Sequence, residues 1–209
     1  MLALALSLLL TADDGGVSLQ DALHAQAPTL RVDVLARALK AYAVAERKGE
    51  VKRHVLTVID YDRPSVEKRL WTFDLATRRL LFEERVAHGK GSGLDRTSSF
   101  SNESKSHQSS LGVFLTAEIY QGEHGTSVKL DGLEPGFNDA ARRRAVVLHG
   151  ATYASDAFVK EHGRVGRSWG CPAVRPEVVD ALAAAIADGS VLVASASDRA
   201  WLDGSAYLK

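Results

Sequence analysis

From Val51 to about Gly150 the sequence is a succession of short strand-like stretches with no helical period between them. Val51 to Asp60, Glu67 to Asp74 and Arg79 to His88 show partial alternation of apolar and polar residues. Turn signals separate them, Asp62-Arg63-Pro64 and Asp74-Leu75-Ala76-Thr77. Leu111 to Tyr120, Thr126 to Leu130 and Ala145 to Leu148 continue the pattern. Strands at this spacing, with no βαβ rhythm and no internal repeat, point to a mainly β fold of the sandwich or barrel type. Helical periodicity appears only outside this block. Leu30, Val34, Leu35, Ala38, Leu39, Tyr42 and Ala45 form an i, i+3, i+4 stripe, which predicts a helix over 29–48 with Thr29 as N-cap and Gly49 as stop. Pro176 suits a first helical position, and Val178, Val179, Leu182, Ala185 and Ile186 predict a second helix over 176–188, ended by Gly189. A last strand, 190–194, and a polar tail, 196–209, follow; Trp201 and Tyr207 are the tail's candidates for packing. The expected fold class is therefore α+β and mainly β, with an N-terminal helix and a helix near the C-terminal end.

The chain has 209 residues, enough to bury a core without disulfides, and its one cysteine permits no intrachain disulfide. The formal charge is zero and no basic block is present, which argues against nucleic acid as the main partner. Residues 1–12, MLALALSLLLTA, are too short to span a bilayer and fit the apolar core of a signal peptide with Ala12 at the cleavage point, although no Lys or Arg precedes the run. Residues 13–28, with Asp13-Asp14-Gly15-Gly16 and Pro28, read as linker, and 29–209 as one domain. On this reading the mature protein has no integral membrane segment.

The single cysteine sits in Ser168-Trp169-Gly170-Cys171-Pro172. A lone cysteine is either a small buried hydrophobe or a nucleophile. Here Gly170 and Pro172 shape backbone instead of filling a core, which favours the nucleophile. A thiol with a free pKa of about 8.5 needs a base at neutral pH. The β-prone run Ala145-Val146-Val147-Leu148 delivers one, His149, at its end. Backbone N–H groups around Gly170 and Cys171 are placed to receive an oxyanion. A zinc site built from Cys171, His149 and one of His88, His124 or His162 is the weaker alternative, because none of them shows close ligand spacing. The Gly- and Ser-rich stretch 88–110 is either a flexible surface loop or a loop that handles a polar substrate; no crossover helix follows its glycines, so phosphate binding is discounted. Arg142-Arg143-Arg144 is either a solvated face or a fork for substrate carboxylates.

His149-Gly150 followed by Gly166-Arg167-Ser168-Trp169-Gly170-Cys171-Pro172-Ala173-Val174 resembles the signature of the YkuD-type L,D-transpeptidases of bacterial cell walls, and is similar to their murein L,D-transpeptidase catalytic domain branch. Val86 to Gly93, Phe100-Ser101-Asn102, Ser109 to Gly112, Tyr120 to Ser127 and Gly136-Phe137-Asn138 carry the same resemblance, over roughly residues 30 to 195. It implies a YkuD-like fold and a cysteine-dependent acyl transfer on peptidoglycan stem peptides, in the periplasm or cell envelope. It implies no cofactor, because covalent acyl transfer through a thioester needs neither ATP nor metal. Cys171 is then the nucleophile and His149 its base, with the Gly150 carbonyl orienting the imidazole, Ser168 positioning the loop, and N–H groups at Gly170 and Cys171 holding the oxyanion. The resemblance also places His88, Ser109 and Ser110 on the substrate side. The sequence departs from many relatives at Trp169, where they have His, and at Ala173, where they have Arg or Asn. Trp169 becomes a candidate substrate contact, and Arg175, two residues further on, a candidate replacement guanidinium. The alternatives within this reading are an L,D-carboxypeptidase, in which water is the acceptor, and a non-catalytic wall-binding domain.

Overall fold

The computed structural model describes residues 17–209. The expected signal peptide lies outside the described residues. Within these residues ten strands form, β1 (Val55–Asp60), β2 (Leu70–Asp74), β3 (Arg79–Glu84), β4 (His88–Gly89), β5 (Gly112–Gly122), β6 (Gly125–Gly132), β7 (Val147–Gly150), β8 (Arg167–Ser168), β9 (Ala173–Val174) and β10 (Val191–Ser195). Among the described residues five α-helices accompany them, α1 (Leu19–Gln26), α2 (Val32–Arg47), α3 (Asp156–His162), α4 (Pro176–Ile186) and α5 (Arg199–Gly204).

Eight strands make one mixed sheet in the order β3-β2-β1-β10-β5-β6-β7-β9, and β4 pairs with β8 beside it. Every residue of β1 and β10 is buried, which is why these two strands read as apolar runs with little alternation. α2 covers β1 and β10, and α4 packs against β6, β7 and β1. The two edges of the sheet approach each other. Ala87, just past edge strand β3, makes an antiparallel bridge to Ala173 in edge strand β9, so the sheet curls almost into a closed barrel. The mainly β, α+β class is as the sequence indicates.

Several boundaries differ from expectation. The stretch expected to be linker contains α1, whose N-cap Ser18 accepts from the Asp21 N–H at 3.1 Å and whose buried Leu23 packs into the core. α2 begins three residues later than expected because Thr29 donates its hydroxyl to Glu83 (2.6 Å) instead of capping the helix. Arg31 takes the cap position and forks onto Asp60 at 2.8 and 3.0 Å. Parallel pairing is also present: β1 with β10, β7 with β9, and β4 with β8. The β7-to-β9 connection runs through α3, a seven-residue helix that the sequence pattern did not show. The polar tail folds into α5, and its Trp201 and Tyr207 are buried.

Candidate active site

β7 carries His149 to the sheet edge, where it pairs with Ser127 of β6 on one side and Ala173 of β9 on the other. Side chains two apart along an extended chain share a face, so the residue two before Ala173 is presented beside β7. That residue is Cys171. Its Sγ accepts from the Val147 N–H at 3.4 Å and donates to the Ala145 carbonyl at 3.6 Å. Ala145 reaches this position through a left-handed backbone, φ +54°, which a non-glycine residue adopts only under strain. Cys171 and His149 both line one cleft of about 470 Å³, together with Tyr120, Glu123, His124, Arg144, Tyr153 and Trp169. No hydrogen bond joins the thiol to the imidazole.

The cysteine turn is held from within and from below. The Ser168 hydroxyl donates to the Cys171 carbonyl (2.6 Å) and accepts from the Gly170 N–H (3.0 Å). Gly170 has φ +126°, and a Cβ there would stand 2.8 Å from the Gln108 carbonyl oxygen, so only glycine fits. Because Ser168 takes the Gly170 N–H, that group is not free to hold an oxyanion, contrary to expectation. No acceptor among the described residues takes the Cys171 N–H, which leaves that group free.

His149 is 2% exposed, and its Nδ1 lies 2.9 Å from the Gly150 carbonyl oxygen. A carbonyl only accepts, so Nδ1 carries the proton and Nε2 keeps a free lone pair. Burial pushes the imidazole pKa below the usual histidine value, and neighbouring His124 pushes it the same way. The His124 ring stacks on His149 with centroids 4.4 Å apart. Burial also raises the Cys171 thiol above its ordinary value, while the Val147 N–H and Arg144 oppose that rise. Both shifts favour the neutral forms, thiol and imidazole.

The other candidates divide. Trp169 is 71% exposed at the cleft mouth, stacked on His107 at 5.1 Å with the Lys90 ammonium 5.1 Å from its ring centre. Arg175 does not reach the cleft: its guanidinium forks onto Glu84, both contacts 2.9 Å. His88, Ser109 and Ser110 also fail to line it. The two ends of the stretch 88–110 are buried and support the cysteine turn, through His88, Gly89, Ser109 and Ser110, while much of its middle is exposed. Ser109 accepts from the Gly89 N–H at 3.0 Å and donates to the Gly170 carbonyl at 3.4 Å. Ser110 donates to the Ser101 carbonyl at 2.8 Å. A Cβ on Gly89 would lie 2.9 Å from the Gly170 Cα, so this glycine lets two backbones meet. The arginine run splits: Arg142 pairs on the surface with Asp131 and Glu118, while Arg144 turns into the cleft. His124, Tyr153 and Arg144 also line the cleft; Arg144 stood in the sequence only within the arginine run and His124 only as a candidate zinc ligand, and nothing marked Tyr153. Among the described residues no three His, Cys, Asp or Glu side chains gather closely enough to hold a metal ion.

His88 is fully buried behind the turn. Arg69, also buried, donates to its Nδ1 at 2.7 Å, which puts the proton on Nε2, a buried atom without a partner. Burial first, and then the Arg69 charge, lower its pKa from 6.5 to about 4. The unfolded chain therefore binds a proton that the folded one refuses between these values. Stability is complete above pH 6.5 and falls as pH drops toward 4, by about 3 kcal/mol for the 2.5-unit gap. Urea unfolding of the wild type at pH 7 and pH 4.5 is expected to show this loss. His88→Asn keeps an acceptor for Arg69 and should show most of it removed; an equal loss in both proteins contradicts the assignment.

Residues 26–195 match the family described as L,D-transpeptidase catalytic domain, YkuD_2. The chain belongs to this family. No curated protein matches it in sequence. Among solved structures it is similar to an L,D-transpeptidase from Mycobacterium smegmatis at 14% identity, covering 68% of this chain and 58% of that one, with a TM-score of 0.43. It is also similar to an L,D-transpeptidase from Stackebrandtia nassauensis at 14% identity, covering 89% of this chain and 95% of that one, with a TM-score of 0.40. The chain thus spans less than two thirds of the Mycobacterium protein. No helix among the described residues is long and apolar enough to cross a membrane.

Proposed function

We propose that the protein is an L,D-transpeptidase that crosslinks peptidoglycan stem peptides in the cell envelope through a thioester on Cys171. The observation that carries this reading is the His149 imidazole, fixed through Nδ1 by the Gly150 carbonyl and open at Nε2, in the same cleft as the only thiol. His149 takes the thiol proton as Sγ attacks the stem carbonyl carbon. The Cys171 N–H receives the developing oxyanion. The C–N bond breaks, and the leaving amine departs with the proton that His149 carried. An acceptor amine from a second stem then attacks the thioester, His149 removes its proton, and Sγ leaves and is reprotonated. The chemistry closes on itself without ATP.

The test is product analysis after incubation with a disaccharide tetrapeptide. A crosslinked dimer supports transpeptidation. Shortened tripeptide alone assigns water as the acceptor and makes the protein an L,D-carboxypeptidase. No product with varied stems and acceptors favours a wall-binding role. The pH dependence is a further check. Because His149 must be neutral to act and its pKa is depressed, kcat/KM should lose activity only as pH falls below about 6.5. An acid limb centred above pH 7 contradicts this environment for His149.

A further inference from the structure

Arg144 is the one member of the arginine run that the surface does not use. It is half-buried, and its guanidinium is fixed by four contacts that leave little freedom. Nη1 donates to the Ser101 carbonyl (2.7 Å) and the Ser110 hydroxyl (2.5 Å), and Nη2 to the Gln108 carbonyl (2.6 Å) and the Ser106 hydroxyl (3.3 Å). All four partners are neutral. Among the described residues no carboxylate lies within ion-pair distance of it, unlike Arg142 and Arg175. Its positive charge is therefore held in place and left uncompensated.

That charge sits beside the nucleophile. Nη2 lies 3.3 Å from where a Cβ on Gly170 would be, one residue before Cys171. The next residue along, Ala145, supplies the carbonyl against Sγ at 3.6 Å, and both side chains line the same cleft. The Ala145 carbonyl opposes a negative sulfur. The Val147 N–H at 3.4 Å favours one, but a single neutral donor in a buried setting is weak compensation. Downstream of the cysteine the guanidinium is absent from the site: position 173 is alanine and Arg175 is tied to Glu84.

We propose that Arg144 is the fixed cation that stabilises the Cys171 thiolate, a positioning residue that reaches the reaction through the sulfur and enters the site from the start of β7 instead of from the cysteine loop. The inference rests on Cys171 being the nucleophile. The two charges attract through a partly desolvated space, where the interaction is stronger than at an exposed surface. The loop 101–110 then has a defined task, because its carbonyls and hydroxyls hold the guanidinium without neutralising it.

The test is the pH profile of Cys171 alkylation by iodoacetamide, which needs no substrate and so is independent of whether the protein makes crosslinks. Arg144→Gln should raise the apparent thiol pKa by about one unit, a roughly tenfold slower alkylation at pH 7.5. Arg144→Lys loses the forked contacts but keeps a charge, and should recover at least half of that shift even if its Tm falls as far. Equal profiles in wild type and Arg144→Gln overturn the proposal. So does an Arg144→Lys profile that matches Arg144→Gln, which would mean that only loop anchoring matters. If Arg144→Gln does not fold, Ser110→Ala decides, because it loosens the same loop and leaves the charge. An unchanged profile there supports the charge, and an upward shift of a full unit overturns it. Failure of acyl transfer in the wild type, with the alkylation shift intact, would instead sink the transpeptidase reading and leave the electrostatics standing.

Discussion

Replacing Cys171 with alanine is expected to lower acyl transfer by at least about 10³-fold, to the background of the assay, while leaving the fold intact. The size follows from the mechanism: without the sulfur there is no thioester, and the Ser168 hydroxyl in the same cleft is already engaged with the Cys171 carbonyl and the Gly170 N–H. The small effect on stability follows from the packing. The side chain is only partly buried, and it exchanges one weak contact with the Val147 N–H and one with the Ala145 carbonyl. A Tm within a few degrees of wild type, with activity lost, is the expected pair of results. Residual activity within tenfold of wild type would mean that another group attacks the substrate. Cys171→Ser should be nearly as inactive, because a hydroxyl is a far weaker acid than a thiol and His149, with its depressed pKa, is a weak base.

The largest effect on stability is expected far from the cleft, at Glu134→Ala. Glu134 is 2% exposed and binds three donors from distant parts of the chain: the Val113 N–H at 2.7 Å, the Trp201 indole N–H at 3.1 Å, and the Ser205 hydroxyl. The carboxylate joins the start of β5 to the C-terminal α5 and replaces the hydration that all three donors lose. Truncation to alanine leaves them buried without acceptors and opens a void beside the fully buried Trp201 ring. At about 1–3 kcal/mol for each stranded donor, a total near 4 kcal/mol is expected, with Tm lowered by about 8–16 °C for a chain of this size. Glu134→Gln keeps the shape and one acceptor oxygen and should lose less. A Tm change under about 3 °C for the alanine variant, measured by near-UV circular dichroism of the buried tryptophans, would show that water replaces the carboxylate.

The parts of this protein that were legible in the sequence are those set by local repetition. β1, β2, β3, β5, β6 and β10 declare themselves by alternation or by apolar runs between turns, and α2 and α4 by their stripes. β4, β8 and β9 are two-residue strands, below any period, and exist because the cysteine turn must be wedged between β7 and the 88–110 stretch. α1 and α3 are eight and seven residues long, too short for a stripe to stand out from neighbouring Gly and polar residues. At the cleft, Cys171 and His149 were readable because one follows a turn-forming glycine and the other ends a strand. Polarity misled elsewhere. His88, Ser109 and Ser110 look like substrate contacts in sequence, yet Ser109 and Ser110 bond backbone groups beneath the turn and His88 takes a hydrogen bond from buried Arg69. Arg175 looks like a free guanidinium because its partner, Glu84, lies 91 residues away on the opposite edge of the sheet. His124 entered the sequence reading only as a candidate zinc ligand, because its stacking on His149 exists only once the β5–β6 hairpin folds over β7.

The measurement that bears most directly on the central claim is intact mass spectrometry of the wild type and of Cys171→Ala after incubation with a disaccharide tetrapeptide. The account predicts an adduct with the mass of the donor stem less its leaving amine, on the wild type only, mapped to Cys171 and discharged when an acceptor stem is added. Turnover of the same substrate by both proteins, with no adduct on either, would contradict it.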